Sequence, residues 1–154
     1  MKPRLNWFGK SNDGIKAMQK AEAYLAGALD KKLLALVKLR ASQINGCAYC
    51  LHMHSEEARA AGEREERMIL LDAWHESPLY SERERAALAW TEALTLVSHG
   101  VSDELYADVS AEFSEKELAY LSTAIAAINV WNRLGAPYRW APPARKQAPQ
   151  AKAS

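Results

Sequence analysis

No run of 18 apolar residues occurs in this chain, so a membrane-spanning helix is not expected. No sign of charge dominates either. Twenty Lys and Arg stand against 19 Asp and Glu, a net charge of +1 at pH 7, with the two signs interspersed. That balance argues against the basic patch that a nucleic-acid or membrane-surface binder needs. Cysteine is scarce, with two in 154 residues, and both fall in one four-residue stretch. A pair so close in sequence cannot staple a fold. In a reducing cytoplasm, where we place the protein, such a pair is catalytic, metal-binding or redox-sensing more often than structural. The opening Met1-Lys2-Pro3-Arg4 is basic but lacks the apolar segment of a secretory leader. Alternating apolar and polar positions, the mark of strands, are missing throughout.

What remains is helical periodicity. With 49% apolar and 25% charged residues, the chain reads as a single soluble all-α domain over residues 1–140, followed by a disordered Pro/Ala/Lys/Gln-rich tail, 141–154. The pattern predicts helices over 14–29, capped from Ser11, Asn12 or Asp13, and over 31–44, capped by Asp30. The second carries an apolar stripe of Leu33, Leu36, Val37 and Ile44, and the Asn45-Gly46 pair breaks it. A third helix spans about 47–61 and stops at Gly62. A short one covers 64–75 and ends at Ser77-Pro78. Ser81 with Glu84, and Ser114 with Glu117, form capping boxes that open helices 82–98 and 115–134, with Ser102 capping 103–112 between them. Gly100 closes the first of these, and Gly135 with Pro137 closes the last.

The strongest chemical signal is Cys47-Ala48-Tyr49-Cys50 followed by His54. On one helix, positions i, i+3 and i+7 fall within an arc of about 60°. A helix N-terminus and a neighbouring imidazole both lower a thiol's pKa, and the thiolate is the nucleophile. Helix position alone favours Cys47 as the more acidic thiol, whereas the histidine favours Cys50. A zinc site is the competing reading, since His52 makes the pattern C-x-x-C-x-H-x-H. One helix cannot aim all four at a metal, because His52 sits roughly 160° from Cys50. We therefore assign no metal and read His52 as a surface or interface residue.

The remaining candidates read as structural. His75 and His99 stand near helix ends, where a cation suits the dipole. Trp131, Tyr138 and Trp140 read as core or interface packing. Glu63-Arg64-Glu65-Glu66-Arg67 reads as a solvated face. Arg40 falls within the apolar stripe of its helix and needs a carboxylate partner or a subunit contact.

The run from Leu36 to Cys50, LVKLRASQINGCAYC, with Met53-His54 and Ala58-Arg59, resembles the alkylhydroperoxidase D-like branch of the carboxymuconolactone decarboxylase family. The later run Ile128-Asn129-Val130-Trp131-Asn132-Arg133 is similar to that branch's last core helix. The resemblance implies an all-helical bundle of six to seven helices that assembles as homo-oligomers, from dimers to trimers and hexamers. It also implies a thiol peroxidase or disulfide-exchange activity. On the family's pattern, Cys50 attacks the peroxide, Cys47 resolves the sulfenic acid, and His54 belongs to a proton relay. The implied partners are a hydroperoxide and an external thiol or disulfide reductant, with no bound cofactor. The family's relay glutamate, twelve residues ahead of the first cysteine, is Ala35 here. The histidine that well-studied members place inside the C-x-x-C is Tyr49. The missing relay glutamate leaves a second reading, a non-catalytic redox sensor or oligomeric binding protein on the same scaffold, and the C-x-x-C-x-H-x-H pattern leaves a third, a zinc-binding module. The decarboxylase namesakes lack the cysteine pair.

Overall fold

The computed structural model describes residues 2–6, 9–10 and 12–143. Among them there are no strands, and the helices are α1 (Asn12–Leu25), α2 (Lys31–Ile44), α3 (Ala48–Ala60), α4 (Glu65–Ile69), α5 (Glu82–Thr95), α6 (Asp103–Glu112) and α7 (Glu115–Gly135). None of these helices is long and apolar enough to cross a membrane.

Most boundaries follow from the caps. The Asp30 side chain accepts from the N–H groups of Lys32 and Leu33. Both capping boxes form, and Ser102 accepts from Leu105 N–H. Such caps are worth about 1 kcal/mol each. Helix α1 ends earlier than its periodicity suggests, because the chain tightens through Gly27 into i→i+3 bonds before Asp30 opens the next helix. Ser11 and the tail from 144 onward lie outside the described residues. The predicted helix 64–75 is a single turn of α4 followed by a 3-10 turn, Leu70–Ala73. A repeat of three per turn aligns Met68, Leu71 and Trp74, all buried.

Helix α2 is the central post, buried on more sides than one stripe provides. Leu33 and Val37 pack with Trp90 of α5, Val109 of α6 and Leu121 and Ile125 of α7. Leu36 and Leu39 face Ala58 of α3 and Leu71, Trp74 and Leu88. Leu34 meets Leu25 of α1 and Ala124 of α7. Fully burying one such leucine contributes about 1.5–3 kcal/mol. Ile44, expected in the stripe, is only half-buried at the helix end.

Arg40 has the carboxylate partners its position demands. Its Nε donates to Glu92 Oε1 at 2.9 Å, and Nη1 also pairs with Asp72. Trp74 Nε1 donates to the same Glu92 oxygen at 2.7 Å. His75 stacks on Trp74, and His99 ends an exposed 3-10 turn. The stretch 63–67 is not a uniformly solvated face. Glu63 is buried, and Arg67 lies inward between Glu63 and Glu84 while also donating to the Leu79 carbonyl. The charges at 64, 65 and 66 do face solvent. The inward pair is set by the C-terminal turn of α3, which points Glu63 at α4, and no helical periodicity records that.

A buried polar seam joins α2 to α7. Asn45 Nδ2 lies 3.0 Å from both Asn129 Oδ1 and Asn132 Oδ1. Asn132 Nδ2 donates to Ser42 Oγ at 3.1 Å, and Asn129 Nδ2 donates to Thr95 Oγ1 of α5 at 3.0 Å. Asn132 is 1% exposed, and truncating it removes the donor to the buried Ser42 hydroxyl in this seam and one of the acceptors of Asn45, which keeps Asn129 and the Ala41 carbonyl. The substitution Asn132→Ala is expected to cost about 1–3 kcal/mol, read as a lower urea midpoint at unchanged slope.

Candidate active site

The site begins where α2 stops. Gly46 adopts φ +63°, which an L side chain rarely tolerates. Its N–H donates to the Gln43 carbonyl, and the Cys47 N–H donates to the Ser42 carbonyl, both at 3.1 Å. This paired C-terminal cap turns the chain sharply and delivers Cys47 to the start of α3. Cys47 is therefore the N-cap, not a residue of the first turn as a single-helix reading has it. Its backbone is extended, and its Sγ accepts from Cys50 N–H at 3.3 Å. The two cysteines are joined in a disulfide, with Cα atoms 5.3 Å apart.

The disulfide is deeply placed, with Cys47 at 0% and Cys50 at 1% exposure. Gly135 lies directly against it. A Cβ on Gly135 would stand 2.7 Å from Cys47 Sγ and 3.3 Å from Cys50 Sγ. Gly135 is thus the last residue of α7, where the absent side chain makes room for sulfur, and not the left-handed stop its type suggested. The segment after α7 folds back, with Trp140 N–H donating to the Gly135 carbonyl at 3.0 Å.

A cavity of about 310 Å³ opens beside the bridge. Cys50, His54, Met53, Tyr49, Trp131 and Trp140 wall it, and Lys38, Glu22 and Glu57 stand at its charged side. Trp131 and Trp140 thus border the site rather than only packing a core, whereas Tyr138 does not line it. Tyr49, where a histidine was the family's habit, meets Trp140 edge-on at 5.8 Å. Cys47 does not line this cavity, nor does His52, which is half-buried elsewhere on α3.

His54 is 3% exposed. Its Nδ1 lies 2.7 Å from Glu57 Oε2, one turn on, and its Nε2 is buried with no hydrogen-bond partner among the described residues. A carboxylate acceptor at Nδ1 places the proton there and leaves Nε2 as a base. The hydrogen bond with His54 holds the Glu57 carboxyl below the usual range; burial works against this, and Lys38 works with it. Lys38 pairs in turn with Glu22 of α1. Ala35, the position of the missing relay glutamate, is buried on α2 and lines a neighbouring hollow with Glu22, Lys38 and Glu57.

Sequence reasoning named Cys47, Cys50 and His54, and the fold brings Cys50 and His54 to one cavity with Cys47 bonded behind. It missed Glu57, although the i+3 spacing from His54 was visible, and it missed the contact of Gly135, which no local pattern records. Among the described residues no three His, Cys, Asp or Glu side chains are grouped as metal ligands.

This fold and cysteine pair define an alkylhydroperoxidase D-like helical protein. The chain belongs to the carboxymuconolactone decarboxylase family, whose model matches residues 11–93. It is 39% identical to the uncharacterized protein YdfG of Bacillus subtilis over 136 residues, 87% of this chain and 92% of that one. It is similar in structure to ATU0492 of Agrobacterium tumefaciens, a protein of unknown function suggested to be the antioxidant defence protein AhpD. That match has a TM-score of 0.90 at 39% identity, covering 93% of this chain and 99% of that one. The debrominase Bmp8 shares the fold at 22% identity and a TM-score of 0.77, covering 86% of this chain and 72% of that one.

The Gly135 contact makes a direct prediction. Gly135→Ala should destabilise the oxidised protein by about 1–3 kcal/mol through overpacking. In a Cys47→Ala background, where the closest sulfur is gone, most of that cost should vanish. A double-mutant cycle of urea midpoints reads the coupling.

Proposed function

We propose that this protein is a dithiol peroxidase that reduces hydroperoxides, with Cys50 attacking, Cys47 resolving and His54 handling the proton. One observation carries the reading. A Cys47–Cys50 bridge sits at a helix N-terminus, and its Cys50 end borders a cavity also lined by His54, whose Nε2 is buried and without a partner among the described residues. The burial of Cys47 behind Cys50 supports the order of the roles.

In the reduced protein His54 Nε2 accepts the Cys50 proton. The thiolate attacks the terminal oxygen of ROOH, an S–O bond forms, and the O–O bond breaks. The electron pair leaves on RO⁻, which takes the proton back from the imidazolium as ROH. Cys47 Sγ then attacks the sulfenic sulfur, and the hydroxyl departs with the Cys47 proton as water. The bridge so formed is reduced by an external dithiol, which becomes a disulfide. The apolar, aromatic walls suit the carbon part of an organic hydroperoxide. The relationship to alkylhydroperoxidase D-like proteins also carries the expectation of a cytoplasmic homo-oligomer, which sedimentation measures.

Hydroperoxide consumption with several dithiol donors tests the reading. Wild-type protein should turn over, and Cys50→Ser should not. A sulfenic acid should be trapped in Cys47→Ser and not in Cys50→Ser. His54→Asn should slow the peroxide step by about 10²–10⁴-fold. Background turnover beside reversible bridge formation would instead favour the redox-sensor reading.

A further inference from the structure

We propose that Glu57 is the carboxylate of this site, acting through His54 in place of the glutamate that Ala35 lacks. The inference rests on the preceding assignment of Cys50 and His54 and supplies the positioning residue that assignment leaves open. Three observations meet here. Glu57 Oε2 stands 2.7 Å from His54 Nδ1, the other ring nitrogen is buried and unpartnered among the described residues, and His54 lines the same cavity as Cys50. Glu57 also lines the hollow that contains Ala35, so a carboxylate reaching in from α3 occupies the region that one on α2 would have entered. Glu57 is ionised at neutral pH, because its bond with His54 and the charge of Lys38 lower its pKa against the effect of burial.

The surrounding charges alternate. From α1 comes Glu22, from α2 come Lys38 and, at the outer edge, Lys31, and from α3 comes Glu57, with the neutral phenol of Tyr49 across the cavity. The facing residues from α7 and the segment after it, Trp131 and Trp140, carry no charge. Glu22 and Lys38 neutralise one another as an ion pair, which leaves Glu57 as the anion next to the imidazole. A proton moving from Cys50 to Nε2 makes an imidazolium one ring away from that anion. The carboxylate therefore favours the thiolate–imidazolium pair over the neutral thiol and imidazole. No bond to Glu57 is made or broken; the proton rests on His54 until the departing alkoxide takes it.

The sign of one measurement separates this role from its rivals. In Cys47→Ser protein, where Cys50 is the sole thiol, alkylation by iodoacetamide against pH reads the apparent thiol pKa. A carboxylate acting directly on a thiolate raises that pKa, so its removal would lower it. A carboxylate acting through the imidazolium does the reverse. Glu57→Gln keeps an oxygen acceptor for Nδ1 and removes only the charge. It should move the profile upward by about 1 unit, or about tenfold slower alkylation at fixed pH below the midpoint. In a His54→Asn background the same substitution should produce no upward shift. A profile that stays in place or moves downward on Glu57→Gln, or an upward shift that survives His54→Asn, overturns the proposal. Because Glu57 is half-exposed, the variant is expected to fold, which circular dichroism checks. Alkylation needs no peroxide, so the two readings fail separately. Absent turnover with a shifted profile sinks the peroxidase and keeps Glu57, and turnover with an unmoved profile does the opposite.

Discussion

The seam between the end of α2 and the second half of α7 constrains everything at the site. Asn45, Asn129, Asn132 and Ser42 exchange hydrogen bonds there with little access to water, and Thr95 of α5 joins them. Buried amides left unpaired cost more than a well-made bond returns, so such a network tolerates one register and penalises its neighbours. That register holds Gly135 against the sulfurs. A slip of α7 by one residue would present Leu134 or Ala136 instead, and neither leaves room for a bridge whose sulfurs stand 2.7 Å and 3.3 Å from where a Cβ would sit.

The same seam fixes the turn into α3. Ser42 serves twice: its hydroxyl accepts from Asn132, and its carbonyl accepts from the N–H of Cys47. The cap that ends one helix is thereby tied to the residue that begins the next. Cys47 is held at the N-cap, where its sulfur faces the N–H of Cys50 and the positive end of the α3 dipole. The backbone holds the two Cα atoms 5.3 Å apart, within the range a bridge requires, and Cys50 borders a cavity while Cys47 does not. Around the imidazole, α1, α2 and α3 each contribute a charge, so the electrostatics of the site belong to a junction of three helices and not to the motif that contains the cysteines.

Much of this was legible in the chain. Asp30, Ser81, Ser102 and Ser114 marked helix starts because a cap is a local interaction between a side chain and N–H groups two or three residues away. Asn45-Gly46 marked a break for the same reason. The 3-10 turn after α4 was not legible, since Met68, Leu71 and Trp74 fit a three-residue repeat only when the neighbouring helices are known. The inward pairing of Glu63 with Arg67 was hidden because charge runs look alike on paper whether they face water or a neighbouring element. Glu57 lay in plain view at i+3 from His54, but exposed acids at that spacing are common. Only the burial of the imidazole gives this one meaning.

The sequence by itself determined that the chain is helical, where most helices begin, and that two thiols and an imidazole lie within eight residues of one another. These follow from short-range hydrogen bonding and periodicity, which act within a turn or two of chain. Only the tertiary structure decided which sulfur meets the cavity, which acid meets the histidine, and why a glycine 85 residues beyond Cys50 must lack a side chain. Those outcomes depend on which helix faces pack together, and packing is set by the whole core at once.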